Sequence, residues 1–299
     1  MALRVAVAGA TGDLGVPIVK ALLAAGYHVT ALTREGSNNT SKLPKSSNLS
    51  IAQVNYSSAQ SLENALKGHT VVISTLTSTS VGDQNPLIDA AIAAGVARFI
   101  PSEFGSDVLN EKRNQLPVFE GKVKTHEYLK AAAANHPGFT YTVICTGAFL
   151  DWGLHGFVVN VPERTAIIYN GGDVPFSATS LDTIGRAVVG VIEHLPETAN
   201  RPLYIHDAVV TQNQLIRYAK EKDGREWKVT HKSTEEMRLS SLEQVAKGNT
   251  DWSVLQNFVF SSFLGEGYGI DFSDHLDNEL LGIKGLTEAE VRELVESLL

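Results

Sequence analysis

The first half of the chain alternates between two kinds of segment. Short apolar runs rich in β-branched residues, "LRVAVAG", "HVTALT", "LSIAQV", "TVVIST" and "ARFIP", are separated by "GVPIVKALLAAG", "SLENALKG" and "NPLIDAAIAAG", where apolar positions recur at helical spacing. The short runs are apolar throughout, which suits strands covered on both faces. Strand, helix, strand in that order predicts an α/β fold built on a doubly wound parallel sheet with right-handed crossovers. The helix "LPVFEGKVKTHEYLKAAAA" and the strand "FTYTVICT" carry the rhythm to residue 146.

Beyond that point the rhythm breaks. "RTAIIYNGGDVPFSATS" reads as a hairpin region, "LDTIGRAVVGVIEHL" as a helix returning to the sheet and "RPLYIHD" as another strand. Helices over "TQNQLIRYAKEKDG", "STEEMRLSSLEQVAKG", "WSVLQNFVFSSFL" and "TEAEVRELVESLL" follow. The expected organisation is a nucleotide-binding domain over residues 1–149, with 180–206 returning to its sheet. A smaller lobe from 150–179 and 207–299 then covers the carboxyl ends of the strands, where open α/β sheets bind ligands.

Composition narrows the partners. The 299 residues, 43% hydrophobic, can bury a large core, and the net charge of −8 leaves no electrostatic footprint for nucleic acid or an anionic membrane. A local basic pocket for a small anion stays open. The single cysteine, Cys145, lies in the apolar "TYTVICTGAF", so it forms no intrachain disulfide and is expected as a buried, inert thiol in a reducing compartment. The first apolar run is far shorter than a membrane span and lacks a charged lead-in, so a soluble cytoplasmic protein is expected.

Chemistry enters at the first strand-to-helix turn. "VAVAGATGDLGVPIVKALL" places Gly9, Gly12 and Gly15, with Ala10, Thr11, Asp13 and Leu14 between them, directly after the first strand. Such a turn lets backbone approach a pyrophosphate, and the free amides of the helix start attract the anion. The pattern alone is weak; its placement points to a Rossmann-type dinucleotide site. After the second strand, where an NAD-preferring protein offers a carboxylate to the ribose, stand Thr33 and Arg34. Arg34, with Lys42 nearby, would pair with the extra phosphate of NADP through charge-assisted hydrogen bonds. The alternative is two solvated surface cations.

"FEGKVKTHEYL" holds two lysines that do not share a face. At about 3.6 residues per turn, Lys122 falls on the stripe of Val118, Phe119, Thr125, His126, Leu129 and Ala133. Lys124 lies opposite, beside Glu120 and Glu127, as an ordinary solvated partner. An inward ammonium must be paired, snorkel to water or shift its pKa downward, and the last makes lysine useful as a base. A stem that packs while its head reaches solvent remains the bland alternative.

The motifs "GATGDLG", "TVVISTL", "DQNPLIDAAIAAGVARFIPSEFGSD" and "FEGKVKTHEYL", in this order, resemble the isoflavone-reductase-like, NmrA-like atypical short-chain dehydrogenases. The likeness is most specific at "RFIPSEFGSD" and spans residues 3–150 most clearly. It implies NADPH as cofactor, Lys122 as catalytic base beside the nicotinamide ribose, and Gly9 to Gly15 around the pyrophosphate. It also implies Arg34 at the extra phosphate, Thr75, Leu76 and Thr77 at the cofactor's centre, and Phe104 and Phe149 about the nicotinamide. Plant members tend to have asparagine at Gly147 and arginines at Thr125 and His126, so their substrates do not transfer. "FLDWGL" looks more like the fungal members.

Phe149, Leu150, Trp152, Leu154 and Phe157 follow the sixth strand, where a pocket for a flat aromatic small molecule would lie, with Phe149, Trp152 and His126 as candidate substrate contacts. Core packing explains the aromatics nearly as well, and a structural role suits His126. Trp252, Phe258, Phe260 and Phe263 are candidates to close the pocket. Glu103 and Asp107 are read as scaffold. Tyr218 and Lys222 have the spacing of the tyrosine-lysine pair of ordinary short-chain reductases, but follow the sheet's last strand and read as a surface helix. No cluster has metal-ligand spacing and no Gly-x-Ser-x-Gly elbow exists.

The expected activity is NADPH-dependent reduction of an aromatic or conjugated molecule by a monomer or homodimer, with a non-catalytic NADP-binding redox sensor or a quinone reductase as rivals. Arg34→Ala is expected to weaken NADPH binding much more than NADH binding, measured by calorimetric titration; equal losses would remove Arg34 from the phosphate site.

Overall fold

The computed structural model describes residues 3–37, 39–77 and 84–299. Asp83, which opens the motif "DQNPLIDA", lies outside them. Seven parallel strands form the main sheet: β1 (Arg4–Ala8), β2 (His28–Arg34), β3 (Leu49–Val54), β4 (Val71–Ser74), β5 (Arg98–Ile100), β6 (Thr140–Cys145) and β10 (Arg201–Tyr204). Their spatial order is β10-β6-β5-β4-β1-β2-β3, so the winding direction reverses between β1 and β4. The doubly wound parallel sheet expected from the unbroken apolar runs is present.

Each face of β1 meets its own layer. Val5 and Val7 join Ile18 and Leu22 of α1 (Gly15–Ala24) and Ile184 and Val188 of α7 (Leu181–Glu193). Ala6 and Ala8 share the opposite core with Leu62 and Leu66 of α2 (Ala59–Leu66), Leu87 and Ile88 of α3 (Asn85–Ala93) and Leu129 of α5 (Glu120–Asn135). Helix α7 starts where the Ser180 hydroxyl accepts the Thr183 amide proton, an N-cap that points the chain back to β10 and the sheet edge. No described helix is long and apolar enough to cross a membrane.

Outside the main sheet, β7 (Ala148–Phe149), β9 (Phe176–Thr179) and β11 (Ala208–Val210) form one small sheet, and β8 (Thr165–Tyr169) pairs in parallel with β12 (Lys228–Lys232). The expected hairpin over 164–180 is therefore absent. Asn170, Gly171 and Gly172 all adopt positive φ and redirect the chain after β8. Both edges of β9 are taken by β7 and β11. The buried Gln212 side chain accepts the Tyr169 amide and donates to the Val158 and Ile167 carbonyls, holding β8 on α8 (Gln212–Asp223).

Tyr218 corrects a second expectation. Its ring is fully buried, and its hydroxyl donates to Glu288 beside α11 (Glu288–Glu296) while accepting from Gln214. Lys222 points elsewhere, to Glu296. Tyr218 docks α8 on α11 while Lys222 stays at the surface as expected, and the two do not form a reductase dyad.

Arg98 knits the sheet together. Only 2% exposed, it donates to the hydroxyls of Thr140 at 2.8 Å, Thr142 at 2.7 Å and Thr198 at 2.8 Å, and to the Leu195 carbonyl. These partners are neutral, and burial lowers the guanidinium's pKa to about 10. Arg98→Met, which strands several buried acceptors, is expected to cost about 3 kcal/mol, measured as a lower urea midpoint with an unchanged slope.

Candidate active site

Strand β1 delivers the chain to the glycine turn at the reversal point of the sheet. Gly9 has φ +78, and a Cβ there would lie 2.6 Å from the Thr75 carbonyl oxygen; one on Gly15 would lie 2.3 Å from the Gly9 carbonyl. No side chain fits at either place. Thr75 donates both its amide, at 2.8 Å, and its hydroxyl, at 2.9 Å, to the Ala8 carbonyl, locking β4 to β1 where they diverge. Helix α1 begins with no side-chain cap and no acidic residue in its first turn. Val16 and Ile18 donate to the Gly12 and Leu14 carbonyls and Pro17 carries no amide proton, so the start of α1 offers an external anion the Gly15 amide, a turn without bulk and a positive helix end, a place that fits a pyrophosphate.

Around this turn, Thr11 and Leu14 are half-buried and Asp13 is exposed. Arg34 ends β2 and Lys42 closes a short 3-10 turn; both are exposed, and neither forms an ion pair among the described residues. Tyr56, just past β3, was not singled out by any motif. Its half-buried ring places the hydroxyl beside the Gly9 backbone and Arg34; burial pushes its pKa up to about 12 against the pull of both neighbours. A polar group therefore links the glycine turn to Arg34, the candidate phosphate-binding residue.

A line of contacts runs from the glycine turn to the lysine. Thr75 is followed by Leu76, whose carbonyl accepts the Ser102 hydroxyl at 2.8 Å; Thr77 is exposed. Next to Ser102, Glu103 leaves the end of β5, two strands from β1. Lys122, in the first turn of α5, donates to the Glu103 carbonyl at 2.6 Å and stands 3.6 Å from the Glu103 Oε2. Its side chain is 18% exposed, whereas that of Lys124 is 72% exposed and pairs with Glu120 at 2.5 Å. The two lysines diverge as the helical spacing requires. Burial drives the Lys122 pKa down, with Glu103 pulling it back up and Arg113 adding to the fall.

Arg113 is the largest surprise. It belongs to the four-residue α4 (Glu111–Asn114), whose "EKRN" gives no hint of burial, yet its side chain is 2% exposed. The guanidinium donates to Glu103 Oε2 at 3.0 Å, to Ser106 at 3.2 Å and to Asn114 at 2.9 Å, and lies 4.0 Å from the Phe119 ring centre. Glu103 therefore does hold its loop, but through buried charge. Asp107 is also a scaffold, accepting from the Leu109 amide and from Tyr204.

Phe104 follows Glu103 with φ +32, a left-handed backbone that costs a phenylalanine about 1–3 kcal/mol and is held by full packing at 6% exposure. It packs in the same core as Ala10, and half-buried Phe149 joins from the rim. Trp152 is 44% exposed and meets Phe149 edge-on at 5.2 Å. Phe104 and Phe149 thus share one core with Ala10 of the glycine turn, and Trp152 meets that core through Phe149. His126 stands apart from them: one turn further along α5, it is buried edge-on against Tyr141 of β6, with Nε2 lacking a hydrogen-bond partner. Burial lowers its pKa.

The C-terminal aromatics divide. Phe263 of α10 (Trp252–Leu264) approaches Gly105, whose Cβ position lies 3.6 Å from its ring. Phe258 is buried in a cluster with Phe119, Phe260 stacks between Phe157 and Tyr169, and Trp252 is 49% exposed. Cys145 is fully buried, and burial raises its pKa to about 12, as an inert thiol requires. No group of three or more potential metal ligands occurs among the described residues.

The description of the NmrA-like family matches residues 1–273. The chain belongs to the NmrA-like family. Among curated relatives, the Oxidoreductase aprR of Aspergillus flavus is 34% identical over 100% of this chain and 99% of its own length. The Oxidoreductase poxI of Penicillium oxalicum is 33% identical over 97% of this chain and 92% of its own. The solved structure described as AtPrR2 with NADP+ and (+)pinoresinol has the same fold, with a TM-score of 0.80 at 22% identity over 100% of this chain and 99% of that one.

In this NmrA-like protein Gly147, where plant members tend to carry asparagine, has φ +63 and no room: a Cβ would sit 2.0 Å from the Ser177 carbonyl oxygen. Asparagine tolerates the backbone angle but not the contact. Gly147→Asn is expected to cost at least about 3 kcal/mol, read as a lower thermal midpoint and a displaced β9 in a crystal structure.

Proposed function

We propose that this NmrA-like protein is an NADPH-dependent reductase of an aromatic or conjugated small molecule, with Lys122 exchanging the proton. One observation carries the reading: a largely buried amine, on the ligand edge of a doubly wound sheet, connected by three short contacts to a cradle that only glycine can form. The two fungal relatives described above, both called oxidoreductases, support the reaction class. The NADP+ and pinoresinol of the similar fold support the cofactor and the chemistry of the substrate.

When bound, the reduced nicotinamide supplies a hydride. This chain supplies the rest. The amides from Gly9 to Gly15 hold the pyrophosphate; Arg34 and Lys42 bind the extra phosphate; Thr75, Leu76 and Thr77 follow the cofactor's centre. Phe104 and Phe149 exclude water from the reacting face, and Trp152 extends the apolar wall toward the substrate. Lys122 Nζ, oriented by the Glu103 carbonyl, gives a proton to the substrate atom that becomes electron-rich, or takes one back in the reverse direction. A purely redox-sensing protein needs the cradle but has no use for an inward amine that burial destabilises as a cation.

The test follows NADPH absorbance with a panel of enones, quinones and aromatic ethers. Lys122→Met is expected to lower kcat at least about 100-fold while leaving NADPH affinity within about threefold. Turnover retained in that variant removes Lys122 from the chemistry, and NADPH binding with no turnover across the panel favours the sensor.

A further inference from the structure

Three ionisable side chains meet behind the ligand edge, and their charges do not balance. Arg113 and Lys122 share the single carboxylate of Glu103, with side-chain exposures of 2%, 18% and 3%. Both cations approach the same oxygen, Oε2, Arg113 at 3.0 Å and Lys122 at 3.6 Å, while Oε1 is buried without a hydrogen-bond partner. Arg113 holds the better position, and its contacts to Ser106, Asn114 and Phe119 fix it there. The short contact of Lys122 is to a backbone carbonyl, which offers a dipole and no net charge.

We propose that Arg113 is a positioning residue for this site: by engaging the Glu103 carboxylate it leaves Lys122 as the surplus cation of a buried cluster, and so makes Lys122 the member that releases its proton. The inference rests on the proposed role of Lys122 as the proton-exchanging group.

With all three groups charged the cluster carries one uncompensated positive charge in a poorly hydrated place, which is unfavourable. Relief requires one cation to deprotonate. A guanidinium does not do so in proteins, whereas a buried lysine does. The other groups that face Lys122 offer no compensating charge. Cys145, on β6, is a thiol raised to about 12 by burial, and burial keeps His126, one turn along α5, toward its neutral form. Asp107 is directed to the Tyr204 hydroxyl at 2.7 Å and the Leu109 amide at 2.8 Å, and it is not among the charges that act on Lys122. The Lys122 pKa falls through burial, Glu103 pulls it back up and Arg113 opposes that pull, which are the opposing senses this count requires.

The two partners of Lys122 should therefore act in opposite senses. Without Arg113, Glu103 and Lys122 become a balanced pair and the ammonium holds its proton. Without the Glu103 charge, two cations face each other and Lys122 releases its proton more readily. Competitive acetylation of the full-length protein with acetic anhydride over a pH series, read by peptide mass, gives the midpoint for Lys122, with exposed Lys124 as the internal reference.

Arg113→Met is expected to raise the Lys122 midpoint by about one unit or more and Glu103→Gln to lower it by a similar amount, with Lys124 unmoved. The pH profile of kcat should shift in the same directions. Glu103→Gln keeps the shape of the side chain and an acceptor for Arg113, so it carries the test independently of how well Arg113→Met folds. Midpoints that stay in place, or that move the same way in both variants as general loosening would produce, overturn the proposal. Because acetylation needs no turnover, this outcome is read separately from that of Lys122→Met.

Discussion

A buried carboxylate shared by two cations organises the ligand edge. Glu103 leaves β5, Arg113 comes from α4 and Lys122 from α5, so one side chain ties together three consecutive pieces of chain that no sheet ladder connects. Burying these charges is costly, and removing one partner would be costlier still, because the others would be left uncompensated. The arrangement is therefore fixed more firmly than a surface loop would be. Its neighbours depend on that fixity: Phe104 holds a left-handed backbone between Glu103 and Gly105, and the Gly105 carbonyl accepts the amides of both Thr146 and Gly147 at 3.0 Å.

The same constraint connects the lysine to the sheet. Helix α5 begins at the carboxyl ends of the strands because the 3-10 turn Pro117–Phe119 packs under α10 and sends the chain downward along β6. Lys122 in the first turn therefore stays at the ligand edge, while His126, one turn on, sinks to the level of Tyr141. A difference of four positions separates a side chain that meets the Glu103 carbonyl and carboxylate from one that faces the core. Lys124, only two positions away, is rotated to solvent, where its pair with Glu120 is worth only a few tenths of a kcal/mol.

Much of this was legible in the residues. Strands buried on both faces read as unbroken apolar runs, and the glycine turn is recognisable because its function and its sterics require the same residue type. The helical period separated Lys122 from Lys124 without any knowledge of the partner that receives Lys122. What escaped were pairings over long sequence distances. β8 takes its partner from β12 and β9 belongs to another sheet, so a local reading that joined β8 to the next strand paired it wrongly. Arg113 escaped because a charged tetrapeptide normally marks solvent; its burial depends on a carboxylate ten residues earlier and a ring six residues later. Tyr56 escaped because a lone tyrosine after a strand carries no motif, and its meaning comes from the turn it approaches.

Several costs of this structure fall on one stretch of chain, although others lie elsewhere, as at Thr33, Ser74 and Asn170. A phenylalanine at positive φ, a carboxylate oxygen and a histidine nitrogen without partners, and a cation whose counter-charge is already taken all occur between residues 103 and 126. Packing alone would favour their removal: a glycine at Phe104 would relax the backbone, and an apolar trio in place of the three charges would fill the same volume at no desolvation cost. A cofactor cradle by itself requires none of them, since Gly9, Gly15 and Thr75 form the turn without reference to Glu103. The glycine turn therefore leaves the surplus charge unexplained, and the proposed mobile proton at Lys122 gives that charge a use.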